Sequence, residues 1–176
     1  MSIPHATSPV LRSAQERLGR FVRDRAALTA DELGFGWVGV PEAPSTYPEL
    51  EAAFAHSQST GEPLPISNMH CDDTIFLEPE ANVAFRFWHD TSHCRLGLNF
   101  SLIDKWHLAM HHLAELEAAG FAHSGDEYRL LRLDLIGQIV LLGVAGRFPH
   151  NQGHFTRTCT EFGLDAGVLL ELGRSS

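Results

Sequence analysis

Residues 130–145, LLRLDLIGQIVLLGVA, are apolar on nearly every side of a helical projection, and this run constrains the fold more than any other stretch. A helix with no polar face has nothing to turn toward water, so it belongs inside a bundle with other elements packed round it. Asp134 lies within the run, with Gln138 one turn on and on the same face. An unpaired buried carboxylate costs on the order of several kcal/mol, so Asp134 requires a partner. A metal ion, a histidine or an arginine would serve; pairing with Arg86 or Arg132 is the purely structural alternative.

The other segments read as the surrounding helices. Ser8 is placed to cap a first helix with Pro9 at its opening position, and Val10, Leu11, Ala14, Leu18, Phe21, Val22 and Leu28 fall on one stripe. Thr46 and Glu49 have capping-box spacing, with Pro48 in the first turn, predicting a short helix to about His56. Pro79 opens a helix to about Arg95, stopped at Gly97. Ser101 caps the next, with Asp104 at the capping-box position, a core stripe of Ile103, Trp106, Met110, Leu113 and Leu116, and a stop at Gly120. Asp126 to Ala145 is helical, and Cys159, Phe162, Leu164, Val168 and Leu169 suggest one or two closing helices before a tail, 173–176, that should fray.

Gly34-Phe-Gly36-Trp-Val-Gly39 spells G-x-G-x-x-G, but Val40-Pro41-Glu42-Ala43-Pro44 follows it where a dinucleotide site needs a helix, so a loop is expected. No segment alternates with period two between hairpin turns. The fold expected is all-α, a single-domain bundle of about six or seven helices with an irregular region near residues 30–75. Residues 1–60 would form the N-terminal helices and loop, and 61–176 a candidate metal-binding core.

The net charge of −9 argues against general nucleic-acid binding, which needs a positive surface. Three cysteines, Cys71, Cys94 and Cys159, with no C-x-x-C, read as reduced thiols. The opening MSIPHATSPV lacks the basic start and apolar run of a signal peptide, and no apolar run reaches membrane-spanning length. A soluble, cytoplasmic protein is expected, with no membrane partner; a homo-oligomer is compatible with the sequence.

Eleven histidines are the unusual count, and histidine is the commonest metal ligand. His89 and His93 are i,i+4 neighbours on one helix face, and Asp90 adds an oxygen beside them, a mixture suited to Zn, Mn or Fe. Asp90 also has an ion-pair explanation through Arg86 at i−4. On the next helix Asp104, His107, His111 and Glu115 form a row, with Asp104 and Glu115 expected on an exposed face. His111 and its neighbour His112 could face either solvent or a pocket. His150 and His154 are again i,i+4, although Gly153 and an adjoining loop weaken them as ligands.

His70, then His89-Asp90, then the distant Asp134, each on its own segment of an all-α chain, resembles the HD-domain family of metal-dependent phosphohydrolases. The resemblance spans residues 70–134 and implies that His70, His89, Asp90 and Asp134 hold a divalent metal (Mn, Fe, Zn or Ni). His93 fits the H-D-x-x-H form of part of that family, and His111 or His112 would match the extra histidines of two-metal members. The implied activity is hydrolysis of a phosphomonoester or nucleotide by metal-activated water. Asp90 would orient the hydroxide, Arg86 would contact phosphate, and His93 or His111 would protonate the leaving oxygen. The rival reading is a non-catalytic helical protein, metal-binding or partner-binding, whose histidines form a polar seam.

Overall fold

A computed structural model describes residues 9–174. Seven helices are present: α1 (Pro9–Leu33), α2 (Tyr47–Thr60), α3 (Pro79–Leu96), α4 (Leu102–Ala118), α5 (Asp126–Ala145), α6 (Gln152–Phe162) and α7 (Leu164–Leu172). The all-α bundle expected from the sequence is the fold observed. The proposed cap at Ser8 and the end of the tail lie outside the described residues.

Local chemistry sets the boundaries. Thr46 accepts from the Glu49 amide while the Glu49 carboxylate accepts from the Thr46 amide, the reciprocal box that opens α2. Ser101 accepts from the Asp104 amide at 3.2 Å to start α4, but the Asp104 carboxylate turns to the amide of Asn99 and leaves the box half made. Gly97 takes φ 64° after α3, the left-handed turn a glycine enters without Cβ strain.

The irregular region holds a feature the sequence reading missed. Two four-residue strands, β1 (Trp37–Val40) and β2 (Leu64–Ser67), pair in parallel with Trp37 opposite Leu64 and Val40 opposite Ser67. β1 uses the second half of the glycine-rich stretch expected as a loop, and α2 runs four residues beyond His56 to bridge the strands. Four residues are too few for alternation to stand out, and the proline in β2 hides it further.

The core is aromatic where α1, α3 and the strands meet. Trp37 stacks on Phe87 at 4.7 Å, and Phe21 meets Trp88 edge-on at 5.6 Å. The first half of α5 is buried as expected, with Leu130, Leu131 and Asp134 among its buried residues, whereas Val140 and Val144 face outward. The stripe assigned to α4 is a correction. Leu113 and Leu116 are buried, but Ile103, Trp106 and Met110 are 60%, 40% and 42% exposed. α4 is rotated from the expected facing, so that Leu108, Ala109 and His112 are buried beside Leu113 and Leu116.

Candidate functional site

Between α3, α4, α5 and the segments that precede α3 and α6 lies a cavity of about 670 Å³. Its apolar wall includes Phe85, Leu135, Ile139 and Phe148, and its polar wall Asn82, Arg86, His89, Lys105, Gln138 and Gln152. His70, Asp72, Asp73, His150 and Asn151 line it from the two segments. A largely apolar concavity with a few convergent polar groups is the usual form of a small-molecule site.

α3 supplies Asn82, Arg86 and His89 to its polar lining. The Arg86 guanidinium donates through Nη1 to the carbonyl oxygens of Ser67 and Met69, both at 2.7 Å. The end of β2 thus fixes Arg86, and the ion pair with Asp90 suggested by their spacing is not made. Asp90 does not line the cavity. Burial pushes its carboxyl up to about 7 against the opposing pull of Arg86 and Lys105.

His89 Nδ1 lies 3.1 Å from His112 Nε2. His112 is fully buried, its ring centroid 4.1 Å from that of Trp88, and its Nδ1 has no partner among the described residues. Burial, helped by the neighbouring histidines, holds both rings well below the usual imidazole range, so both are neutral near pH 7. His93 packs edge-on to His89 at 4.8 Å and joins its Nδ1 to the Leu98 carbonyl oxygen at 2.8 Å. Burial drives His93 down to about 4, outweighing that hydrogen bond.

Lys105 enters from α4, its ammonium 4.5 Å from the centroid of Phe100 and 5.9 Å from that of Phe148. Burial lowers its pKa, and no carboxylate is within salt-bridge distance of it among the described residues. It was not singled out from the sequence, although a signal was present. Lys105 is the chain's one lysine, against twelve arginines.

Asp134 finds the partner its burial requires, and the partner is neutral. Gln152 Nε2 donates to both carboxylate oxygens, at 3.1 and 3.0 Å, and Thr156 Oγ1 donates to one at 2.8 Å. Burial raises its pKa to about 6 despite these bonds. Gln152 lines the cavity, so Asp134 stands behind the wall and fixes it.

Two more carboxylates fasten the same wall. Asp73 accepts both arms of Arg157. Glu171 of α7 accepts from the backbone amide of His150 at 2.9 Å, meets His150 Nδ1 at 3.0 Å, and pairs with Arg147.

Of the residues singled out earlier, His70, Arg86 and His89 line one cavity, while His89, His93 and His112 share a cluster behind it. His111 is partly exposed and takes no part in the lining. Among the described residues, no group of three or more histidine, cysteine or acidic side chains is placed to hold a metal ion. The set His70, His89, Asp90 and Asp134 is not gathered at one point: His70 and His89 line the cavity, whereas Asp90 does not and Asp134 stands behind Gln152. Comparison with known protein families, curated proteins and solved structures finds no match. No described helix is long and apolar enough to cross a membrane.

Proposed function

We propose that the cavity binds a small phosphorylated molecule and that the protein hydrolyses its phosphoester. One observation carries the reading. In a chain of net charge −9, Arg86 and Lys105 line one cavity and neither has a carboxylate within salt-bridge distance among the described residues. Asp90 reaches both cations electrostatically and Asp72 and Asp73 share the lining, but with no carboxylate in salt-bridge contact the two cations leave room for an incoming anion whose oxygens accept their hydrogen bonds. The apolar wall at Phe85, Ile139 and Phe148 offers room for the rest of the molecule. His89 supplies a ring nitrogen able to hydrogen-bond an oxygen of the phosphoester.

The single lysine makes the test direct. Reductive methylation with ¹³C-formaldehyde labels Lys105 and the N-terminal amine alone, so the Lys105 resonance reports on the cavity. Titration with inorganic phosphate is expected to shift that resonance saturably, and Lys105→Met to weaken phosphate binding at least tenfold by calorimetry. A resonance unmoved by millimolar phosphate rejects the reading. Turnover is then checked by phosphate release from a panel of phosphomonoesters. Binding without release supports the non-catalytic alternative.

A metal-assisted form of the same reaction is a second reading, favoured by one spacing. Two nitrogens bound to one tetrahedral zinc at about 2.0–2.1 Å lie about 3.3 Å apart, close to the 3.1 Å between His89 Nδ1 and His112 Nε2. A divalent ion there would sit behind the cavity wall, and it would acidify a bound water only with further donors from the cavity side. Stoichiometric zinc or manganese uptake by the wild type and its loss in His112→Phe would support it. Equal uptake by both proteins would reject it.

A further inference from the structure

Each neutral imidazole carries one N–H, and its position decides what the ring can do. His93 is the simplest case. The Leu98 carbonyl oxygen can only accept, so His93 Nδ1 carries the hydrogen. Its Nε2, sealed in the interior without a partner, is therefore a bare lone pair.

His112 and His89 allow two arrangements. In one, His89 Nδ1–H donates to His112 Nε2, and the hydrogen of His112 lies on Nδ1. That nitrogen is sealed without any acceptor, so this arrangement strands a buried N–H. Such orphaned donors are rare and costly. In the other, His112 Nε2–H donates to His89 Nδ1. What is left in the interior is then a bare nitrogen, as His93 already leaves. It also puts both rings in the Nε2–H form that an unperturbed side chain prefers.

We infer that His112 locks His89 in its Nε2–H form, so that His89 meets the cavity as a hydrogen-bond donor. Among the described residues His89 Nε2 has no partner and, unlike His93 Nε2 and His112 Nδ1, it is not sealed away. The ligand atom against it is an acceptor oxygen, in keeping with Arg86 and Lys105 on the same wall. The chemical role that follows rests on the phosphohydrolase reading above. As the oxygen of water bonds to phosphorus, the bond to the leaving oxygen breaks with its electron pair on that oxygen. The proton that water loses passes by way of a phosphoryl oxygen to the leaving oxygen, while His89 Nε2–H donates a hydrogen bond to the oxygen on which charge develops. His89 keeps its own hydrogen, because a neutral ring that gave it up would become a buried anion. His112 remains neutral throughout and acts as a positioning residue.

The hydrogen positions are directly measurable on ligand-free protein. In ¹⁵N-histidine-labelled wild type near pH 7, bare and protonated ring nitrogens resonate far apart. The expected spectrum has bare Nδ1 and protonated Nε2 in His89 and His112, and the reverse in His93. A protonated Nδ1 on His89 overturns the inference. His112→Gln keeps a donor and should preserve the His89 pattern, whereas His112→Phe should release it to a mixture of both forms. An unchanged His89 pattern in His112→Phe also overturns it. If neither variant folds, the wild-type spectrum alone decides. Failure of phosphate binding with the expected spectrum would reject the functional reading and leave the donor lock standing; the converse pair of results would reject the lock alone.

Discussion

Arg157 on α6 grips Asp73, in the segment before α3, through two parallel hydrogen bonds of 2.7 and 2.8 Å. The hydrogen bonds from Arg157 hold the Asp73 carboxyl below its ordinary range despite partial burial. Beside them, Gly153 approaches so closely that a Cβ would lie 2.3 Å from Asp73 Oδ1 and 2.8 Å from its backbone. The glycine is needed for space: its amide donates to the Asp73 carbonyl oxygen at 2.9 Å. Gly153→Ala is expected to destabilise the protein by about 1–3 kcal/mol, the usual cost of overpacking, and to weaken ligand binding because Asp73 and Gln152 line the cavity. Urea midpoints check the first effect; a midpoint equal to wild type would show that the wall yields without cost.

Asp134 gives a pH dependence of unusual sign. Its folded-state pKa of about 6 lies above the ordinary 3.8, because burial disfavours the charged form. The group therefore costs little stability at low pH, and the cost builds as pH rises from about 4 to 6. At roughly 1.4 kcal/mol per unit, the full cost at pH 7 is about 3 kcal/mol. Asp134→Asn removes it, provided Gln152 turns its amide to present the oxygen. The difference in stability between Asp134→Asn and wild type should favour the variant at pH 7 and shrink toward pH 4.5. A difference that does not change with pH would refute the argument.

The outward face of α4 offers a third measurement. Ile103→Lys is expected to alter stability by no more than about 0.5 kcal/mol, as for other exposed positions, whereas Leu113→Ala in the core should cost about 2–5 kcal/mol. Comparable losses in the two variants would show that the face of Ile103, Trp106 and Met110 is covered in solution.

Helix placement was legible wherever a chemical stop or start was present. Pro79, Gly97 and Ser101 bound α3 and open α4 as their chemistry requires, and α5 spans the residues its apolar run predicted. The stripe on α4 misled because periodicity reports that a helix has an apolar face and not that a neighbour covers all of it.

Much less of the site could be read. The need of Asp134 for a partner followed from burial alone, but its identity did not. Gln152 and Thr156 lie on α6 in a stretch noticed for its histidines, and only the docking of α6 on α5 brings their donors to the carboxylate. His89 and His93 were paired by helical spacing, and they do lie together. The contact between His89 and His112 crosses two helices, a relation that depends on how α3 and α4 pack. Helical spacing allowed Arg86 to pair with Asp90 one turn away; the carbonyl oxygens of Ser67, at the end of a strand not foreseen, and of Met69 just beyond it hold Arg86 instead.

The grip of Arg157 on Asp73 spans 84 residues of chain. Closing so long a loop carries a larger entropy cost than joining neighbouring helices, so such contacts form late on the folding path. Arg157→Ala is accordingly expected to steepen escape from the native state and leave the refolding rate close to wild type. Stopped-flow chevrons separate the two limbs, and a slowed refolding limb would contradict the assignment. On this account the cavity wall is complete only once α6 and the segment before α3, far apart in the chain, have met.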